Sequence, residues 1–240
     1  FLLHMPQPVA FITGATRGIG RALVFAFAQA GYQVGVCARG EEDVHGLVDE
    51  LGRAGFPAAG HPADVGVPDD VKAAVRQVTG QLGPVDVLIN NAGIGVLKPL
   101  VDLTLDEWDR TMSTNLRSLY LVTRAVLPSM IERGQGVIVN IASLAGKNAL
   151  VGGTAYAASK HAVLGFSKSL MLEVRKQGVR VLAVCPGTVH TEFASERTVP
   201  KISREGILLP EDVAQVVLDA VRLPSRALAS EIDLRPANPS

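Results

Sequence analysis

Short runs rich in β-branched residues recur along this chain, and each is followed by a stretch of helical character. They read Val9-Ala10-Phe11-Ile12, Val34-Gly35-Val36-Cys37, Val85-Asp86-Val87-Leu88-Ile89, Val137-Ile138-Val139-Asn140-Ile141 and Val179-Arg180-Val181-Leu182-Ala183-Val184. Such near-continuous apolar runs suit strands covered on both faces, as in parallel sheets. A third strand ending in His61-Pro62-Ala63-Asp64-Val65 and a last one over Ser230 to Pro236 bring the expected total to about seven. The intervening patterns predict helices over 18–30, 42–54, 68–82, 104–133, 154–177 and 211–222. Strict β-α alternation implies an α/β fold, a doubly wound parallel sheet of Rossmann type with helices on both faces.

Local signals mark several element ends. Thr104-Leu105-Asp106-Glu107 has the form of a capping box, and Gly134 and Gly178 stand where left-handed residues would end the two longest helices. Pro128 falls inside the predicted helix 104–133, where loss of an amide donor predicts a kink. No charged or Pro/Gly/Ser-rich stretch divides the chain, so residues 8–240 read as one domain and 1–7 as a tail or expression remnant with Met5 the native start.

Composition narrows the function classes. Twenty-three basic side chains balance 23 acidic ones, which leaves no net field for nucleic acid or an anionic membrane. The longest apolar stretch, 22–38, is broken by Gln29, Gly31, Tyr32 and Gln33, too early for a membrane span, and no secretory signal opens the chain. Cys37 and Cys185 end apolar runs and read as buried thiols, and the five histidines lack ligand spacing, so neither disulfide nor metal is expected. A cytoplasmic protein whose partners are small molecules and copies of itself is the resulting expectation.

Directly after the first strand stands Thr13-Gly14-Ala15-Thr16-Arg17-Gly18-Ile19-Gly20, followed by a helix. Glycines there let backbone approach a pyrophosphate, and amides at the helix start face its charge, which points to a dinucleotide. Small residues after the fourth strand, Asn90-Asn91-Ala92-Gly93, would let backbone and the Asn91 amide sit beside the adenine ribose at the sheet's C-terminal edge. Tyr156 and Lys160 lie four residues apart on a predicted helix and share a face, where an ammonium favours the phenolate and brings a phenol of pKa about 10 toward working range. Ser143 follows the fifth strand at the same sheet edge and offers a hydroxyl to a substrate oxygen. Asn115 stands inside a helix, where its amide competes with backbone hydrogen bonds, and this suggests a functional reason for it.

The spacing Gly-x-x-x-Gly-x-Gly, together with Asn115, Ser143, Tyr156 and Lys160 in that order, resembles the short-chain dehydrogenase/reductase family from about Val9 to Thr191. The resemblance implies an oxidoreductase that moves a hydride between a nicotinamide dinucleotide and a carbonyl or secondary alcohol. In it Tyr156 would be the acid/base and Ser143 would bond the reacting oxygen, while Lys160 would hold the nicotinamide ribose and tune Tyr156, and Asn115 would support a relay water. It further implies cofactor contacts from Gly14, Thr16, Arg17, Gly18, Ile19 and Gly20, from Asp64 and Val65 at the adenine, and from Asn91, Ala92 and Gly93. The segment Pro186-Gly187-Thr188-Val189-His190-Thr191 would bind the carboxamide. Homodimers or homotetramers through helices 104–133 and 154–177 are implied likewise.

At the end of the second strand the chain reads Cys37-Ala38-Arg39-Gly40, with no carboxylate to accept from a ribose 2′-hydroxyl. Arg39, joined by Arg17, instead suits a 2′-phosphate, so NADP(H) is expected over NAD(H), the alternative, with Glu41 and Glu42 the complicating charges. A polar stretch over 192–206 predicts a substrate lid within 188–209 that orders on ligand binding. The ending Ser230-Glu231-Ile232-Asp233-Leu234-Arg235-Pro236 lacks the Asp-Gly-Gly common in fatty-acid and steroid-type members, which argues against 3-oxoacyl-carrier-protein reduction without removing it. A non-catalytic NADP(H) sensor would need the glycine loop but not Ser143, Tyr156 and Lys160.

Overall fold

The computed structural model describes residues 7–192 and 206–237. Seven parallel strands form one sheet: β1 Val9–Thr13, β2 Gln33–Ala38, β3 Ala58–Pro62, β4 Val85–Asn90, β5 Gly136–Ile141, β6 Val179–Pro186 and β7 Glu231–Leu234. Their order is β3-β2-β1-β4-β5-β6-β7. The apolar runs are strands because both faces are covered, and β1 divides its side chains between two cores. Ala10 and Ile12 pack with Leu23, Phe27 and Val217 on one side, and Val9 and Phe11 pack with Val78, Val126 and Leu170 on the other. Full burial of a side chain such as Phe11 or Phe27 contributes about 1.5–3 kcal/mol.

Helices α1 Gly18–Gln29, α2 Glu41–Arg53, α3 Pro68–Leu82, α4 Leu105–Met112, α5 Ser118–Glu132, α6 Thr154–Val174 and α7 Pro210–Val221 complete the described fold. The capping box is present: Glu107 N donates to Thr104 Oγ1 at 3.2 Å and Thr104 N to Glu107 Oε2 at 3.1 Å. Gly134 and Gly178 both take positive φ, 64° and 77°, where helical segments end. The single helix expected over 104–133 is instead α4 and α5 joined by a π turn over Ser113–Arg117. A π turn adds a residue to the hydrogen-bonded ring and widens the backbone, and it does so around Asn115. Pro128 is accommodated inside α5. The expected helix 154–177 ends at Val174, with a 3₁₀ turn over Arg175–Gln177 before Gly178.

Strand order reverses between β1 and β4, so connections leave the sheet on opposite faces and open a crevice at the strands' C-terminal ends. The glycine loop, Arg39, Asp64, Asn91, Ser143, Tyr156 and Lys160 lie along that edge, with Asn115 buried behind it. Cys37 and Cys185 are free and buried, and desolvation pushes their thiols up to about 12 and about 11. Among the described residues no helix is long and apolar enough to cross a membrane, and no His/Cys/Asp/Glu group could hold a metal.

Candidate active site

The turn from β1 into α1 is built on backbone proximity. Gly14 and Gly18 have φ of 63° and 51°, and a Cβ on Gly20 would stand 2.0 Å from Gly14 O, so α1 starts against the loop that precedes it. A clamp from the end of the neighbouring strand β4 fixes this loop. Asn91 Nδ2 donates to Thr13 O at 3.0 Å and Gly14 O at 3.1 Å, while the Asn91 and Ala92 amides donate to Thr13 Oγ1 at 3.0 and 3.1 Å. Asn91 Nδ2 is therefore engaged by the glycine loop. Thr13, which sequence reasoning passed over, is the clamp's other half.

A cavity of about 920 Å³ runs along the strand ends. Its walls include Gly14, Thr16, Arg17, Gly18, Ile19 and Gly20, then Arg39, Asp64 and Val65, then Asn91, Ala92 and Gly93. Ser143, Tyr156, Lys160, Pro186, Gly187, Val189 and Thr191 also line it. An elongated dinucleotide fits this chemistry: side-chain-free backbone opens at the glycine loop, and α1 presents its N-terminus there with no acidic side chain in its first turn. Of the expected lid 188–209, residues 193–205 lie outside the described chain. Thr188, Val189, Thr191, Glu192, Gly206 and Ile207 border the cavity, and Val189 bridges Leu208.

Beside β2, Arg39 lines the cavity without an ion pair among the described residues. Glu41 and Glu42 do not line it, but Asp43 does, close enough to Gly40 that a Cβ there would meet Asp43 Oδ2 at 2.4 Å. The helical phase of α2 turns the third of three successive carboxylates inward, a choice the sequence reading missed. Arg17 pairs with Glu192 at 3.0 Å, an exposed contact. Asp64 Oδ1 accepts from Gly66 N at 2.8 Å, which fixes the turn after β3.

At the other end, α6 carries Tyr156 and Lys160 on one buried face. Lys160 Nζ donates to Ile141 O at 2.8 Å and lies 5.9 Å from the Tyr156 ring centre. Burial lowers the Lys160 pKa to about 8. Ser143 caps the 3₁₀ turn over Leu144–Gly146, its Oγ accepting from Ala145 N at 3.1 Å. Asn115 is buried behind the wall. Its Oδ1 accepts from Ile94 N at 2.8 Å, and its Nδ2 donates to Ile94 O at 2.8 Å and to Ser159 Oγ at 3.0 Å. Ser159 Oγ in turn donates to Tyr156 O at 2.7 Å. The π turn thus holds both the loop after β4 and the Tyr156 turn of α6. Ser159 gave no signal in the sequence beyond its place between Tyr156 and Lys160.

Residues 8–201 match the family model described as short chain dehydrogenase. A Streptomyces coelicolor protein provisionally named a ketoacyl reductase is 44% identical over 189 residues, 78% of this chain and 72% of its own. The 3-oxoacyl-[acyl-carrier-protein] reductase FabG of Vibrio cholerae is 37% identical over 191 residues, 80% of this chain and 77% of its own. Among solved structures, a variant of actinorhodin polyketide ketoreductase with NADPH aligns over 96% of both chains at 37% identity, with a TM-score of 0.89.

Proposed function

The chain belongs to the short-chain dehydrogenase family, and from that membership we propose that it is an NADP(H)-dependent oxidoreductase interconverting a carbonyl compound and its secondary alcohol, with Tyr156 as acid and base. The observation that carries this reading is the convergence of Ser143, Tyr156 and Lys160 at one end of a cavity whose other end is the glycine loop. A dinucleotide sensor has no use for that trio. When bound, the reduced cofactor supplies the hydride. Tyr156 gives its phenolic proton to the carbonyl oxygen as the alcohol forms, and takes it back in the reverse direction.

Ser143 orients that oxygen. Its Oγ already accepts from Ala145 N, so its own proton is directed to a further acceptor. Lys160 holds a positive charge beside the ring, which favours the phenolate, and presents donors to a ribose. Asn115 positions these groups by tying the turn at Ile94 to Ser159, one turn from the reacting phenol.

NADP(H) over NAD(H) is supported by Arg39 in the cavity wall and by neighbours solved with NADPH or NADP. A ketoacyl substrate is the second reading, favoured by the relatives named for that activity. Pairing of copies through α4, α5 and α6 is supported by the exposed apolar side chains Leu105, Tyr120 and Leu172. The test is NADPH oxidation by the purified chain against aldehydes, ketones and 3-oxoacyl thioesters, with hydroxy acids and NADP⁺ for the reverse direction. Absence of turnover on every class in both directions overturns the reading.

A further inference from the structure

β7 ends the sheet on the side opposite β3, and the chain leaves it as Arg235-Pro236 into the cavity wall. Gly187 N donates to Leu234 O at 2.8 Å, which fixes this exit beside the loop after β6. Arg235 therefore lines the cavity from the β7 side of the sheet, whereas Arg39 lines it from the β2 side. Its guanidinium is only loosely held. Among the described residues its one ion pair, to Asp233 Oδ2, is long at 3.8 Å, and Asp233 is also held through Oδ1 by Lys147. Of the described acidic residues that line the cavity, Asp43 and Asp64 follow β2 and β3, and Glu192 is paired with Arg17. Leu144, Leu150, Val189 and Ile207 add apolar side chains to the same cavity.

A loosely held cation, apolar side chains and a proton donor in one cavity select a particular kind of substrate. We propose that Arg235 anchors the anionic end of the substrate, so that the preferred substrate is a carbonyl compound bearing a carboxylate or phosphate remote from the carbonyl. A guanidinium matches either group with paired, charge-assisted hydrogen bonds. The anion is either the carboxylate of a free oxo acid or the phosphate of a phosphopantetheine-bound acyl group. This rests on the oxidoreductase reading of the same site.

Two matched pairs separate the sources: levulinate and longer oxo acids against their methyl esters, and 3-oxoacyl phosphopantetheine against 3-oxoacyl pantetheine thioesters. Wild type favours the charged member of one pair by about tenfold or more in kcat/KM, and that pair names the source. Arg235→Ala and Arg235→Gln bring the ratio near one through KM, whereas Arg235→Lys keeps part of it. Calorimetry with the NADP⁺-loaded protein gives a readout without turnover, comparing pentanoate and phosphopantetheine with pentanamide and pantetheine. Neutral ketones reduced with no preference for the charge in either pair, or a preference that survives in both charge-removing variants, overturns the proposal alone. Anions held through Arg235 with no carbonyl reduced would instead leave the anion site standing and remove the oxidoreductase reading.

Discussion

With its side chain buried and a carbonyl acceptor at Ile141, the Lys160 ammonium is poorly solvated, and its pKa falls to about 8 from 10.5. Between those values the folded chain holds fewer protons than the unfolded one, so this group's contribution to stability improves as pH rises from about 8 to 10.5, and its full cost is present below about 8. Lys160→Met in the cofactor-free chain is therefore expected to be more stable than wild type at neutral pH. The gain is on the order of 3 kcal/mol from desolvation, less about 1 kcal/mol for the lost hydrogen bond. Denaturant unfolding across pH checks it: the gap must shrink through 8 to 10.5, and a pH-independent gap contradicts the assignment. The same charge is useful to the chemistry, and reductive kcat/KM should decline as it is lost above about 8. Tyr156→Phe isolates the proton itself. It keeps the ring but is expected to lower kcat by about 10²–10⁴-fold with NADPH affinity nearly unchanged, and turnover within a few-fold of wild type would remove Tyr156 from its role.

The β1-α1 loop concentrates constraint at the scale of an element. Because a Cβ on Gly20 would meet backbone at 2.0 Å, Gly20→Ala must shift either the loop or the start of α1. The expected result is NADPH binding weaker by about tenfold or more, about 1.4 kcal/mol, read by fluorescence titration. Gly46→Ala is the control, an exposed helical site in α2 where an added Cβ meets nothing. It should stabilise the chain by about 0.5–1 kcal/mol and leave affinity alone. The glycine loop was legible in the sequence because its meaning is local: three glycines between a strand and a helix. Its clamp was not, since Thr13 and Asn91 meet across 78 residues of chain. Strands were legible from their β-branched runs and helix ends from the Thr104 box and Gly134. The π turn was not, because a one-residue change of hydrogen-bond register leaves no period in the side chains, and only the odd placement of Asn115 hinted at it. Asp43 shows the same limit from another side: Glu41, Glu42 and Asp43 differ only in helical phase, and phase selects which of them lines the cavity.

Across the whole molecule, strand order sets which ends of a ligand meet which residues. β2 and β3 put Arg39, Asp43 and Asp64 on one side of the cavity, and β5 and β6 put Ser143 and Gly187 toward the other. Cofactor choice is decided on the first side, by a guanidinium and a carboxylate of opposite preference. Arg39 follows the strand directly and has no competing ion pair among the described residues, whereas Asp43 lies at the third position of α2, where its charge also answers the helix dipole. NADPH is therefore expected to be preferred over NADH by about tenfold or more in kcat/KM. Ligand binding stabilises the entire fold, so the same preference must appear in melting. At equal concentrations well above both dissociation constants, a tenfold difference in affinity is about 1.4 kcal/mol, or about 3 to 6 °C in Tm for a chain of this size. The double variant Ala38→Asp, Arg39→Ala supplies a carboxylate for the 2′-hydroxyl and removes the phosphate's partner, and it should reverse the order of the two shifts. Wild-type melting raised as far by NADH as by NADPH would show that Asp43 cancels Arg39, and that this side of the cavity does not discriminate.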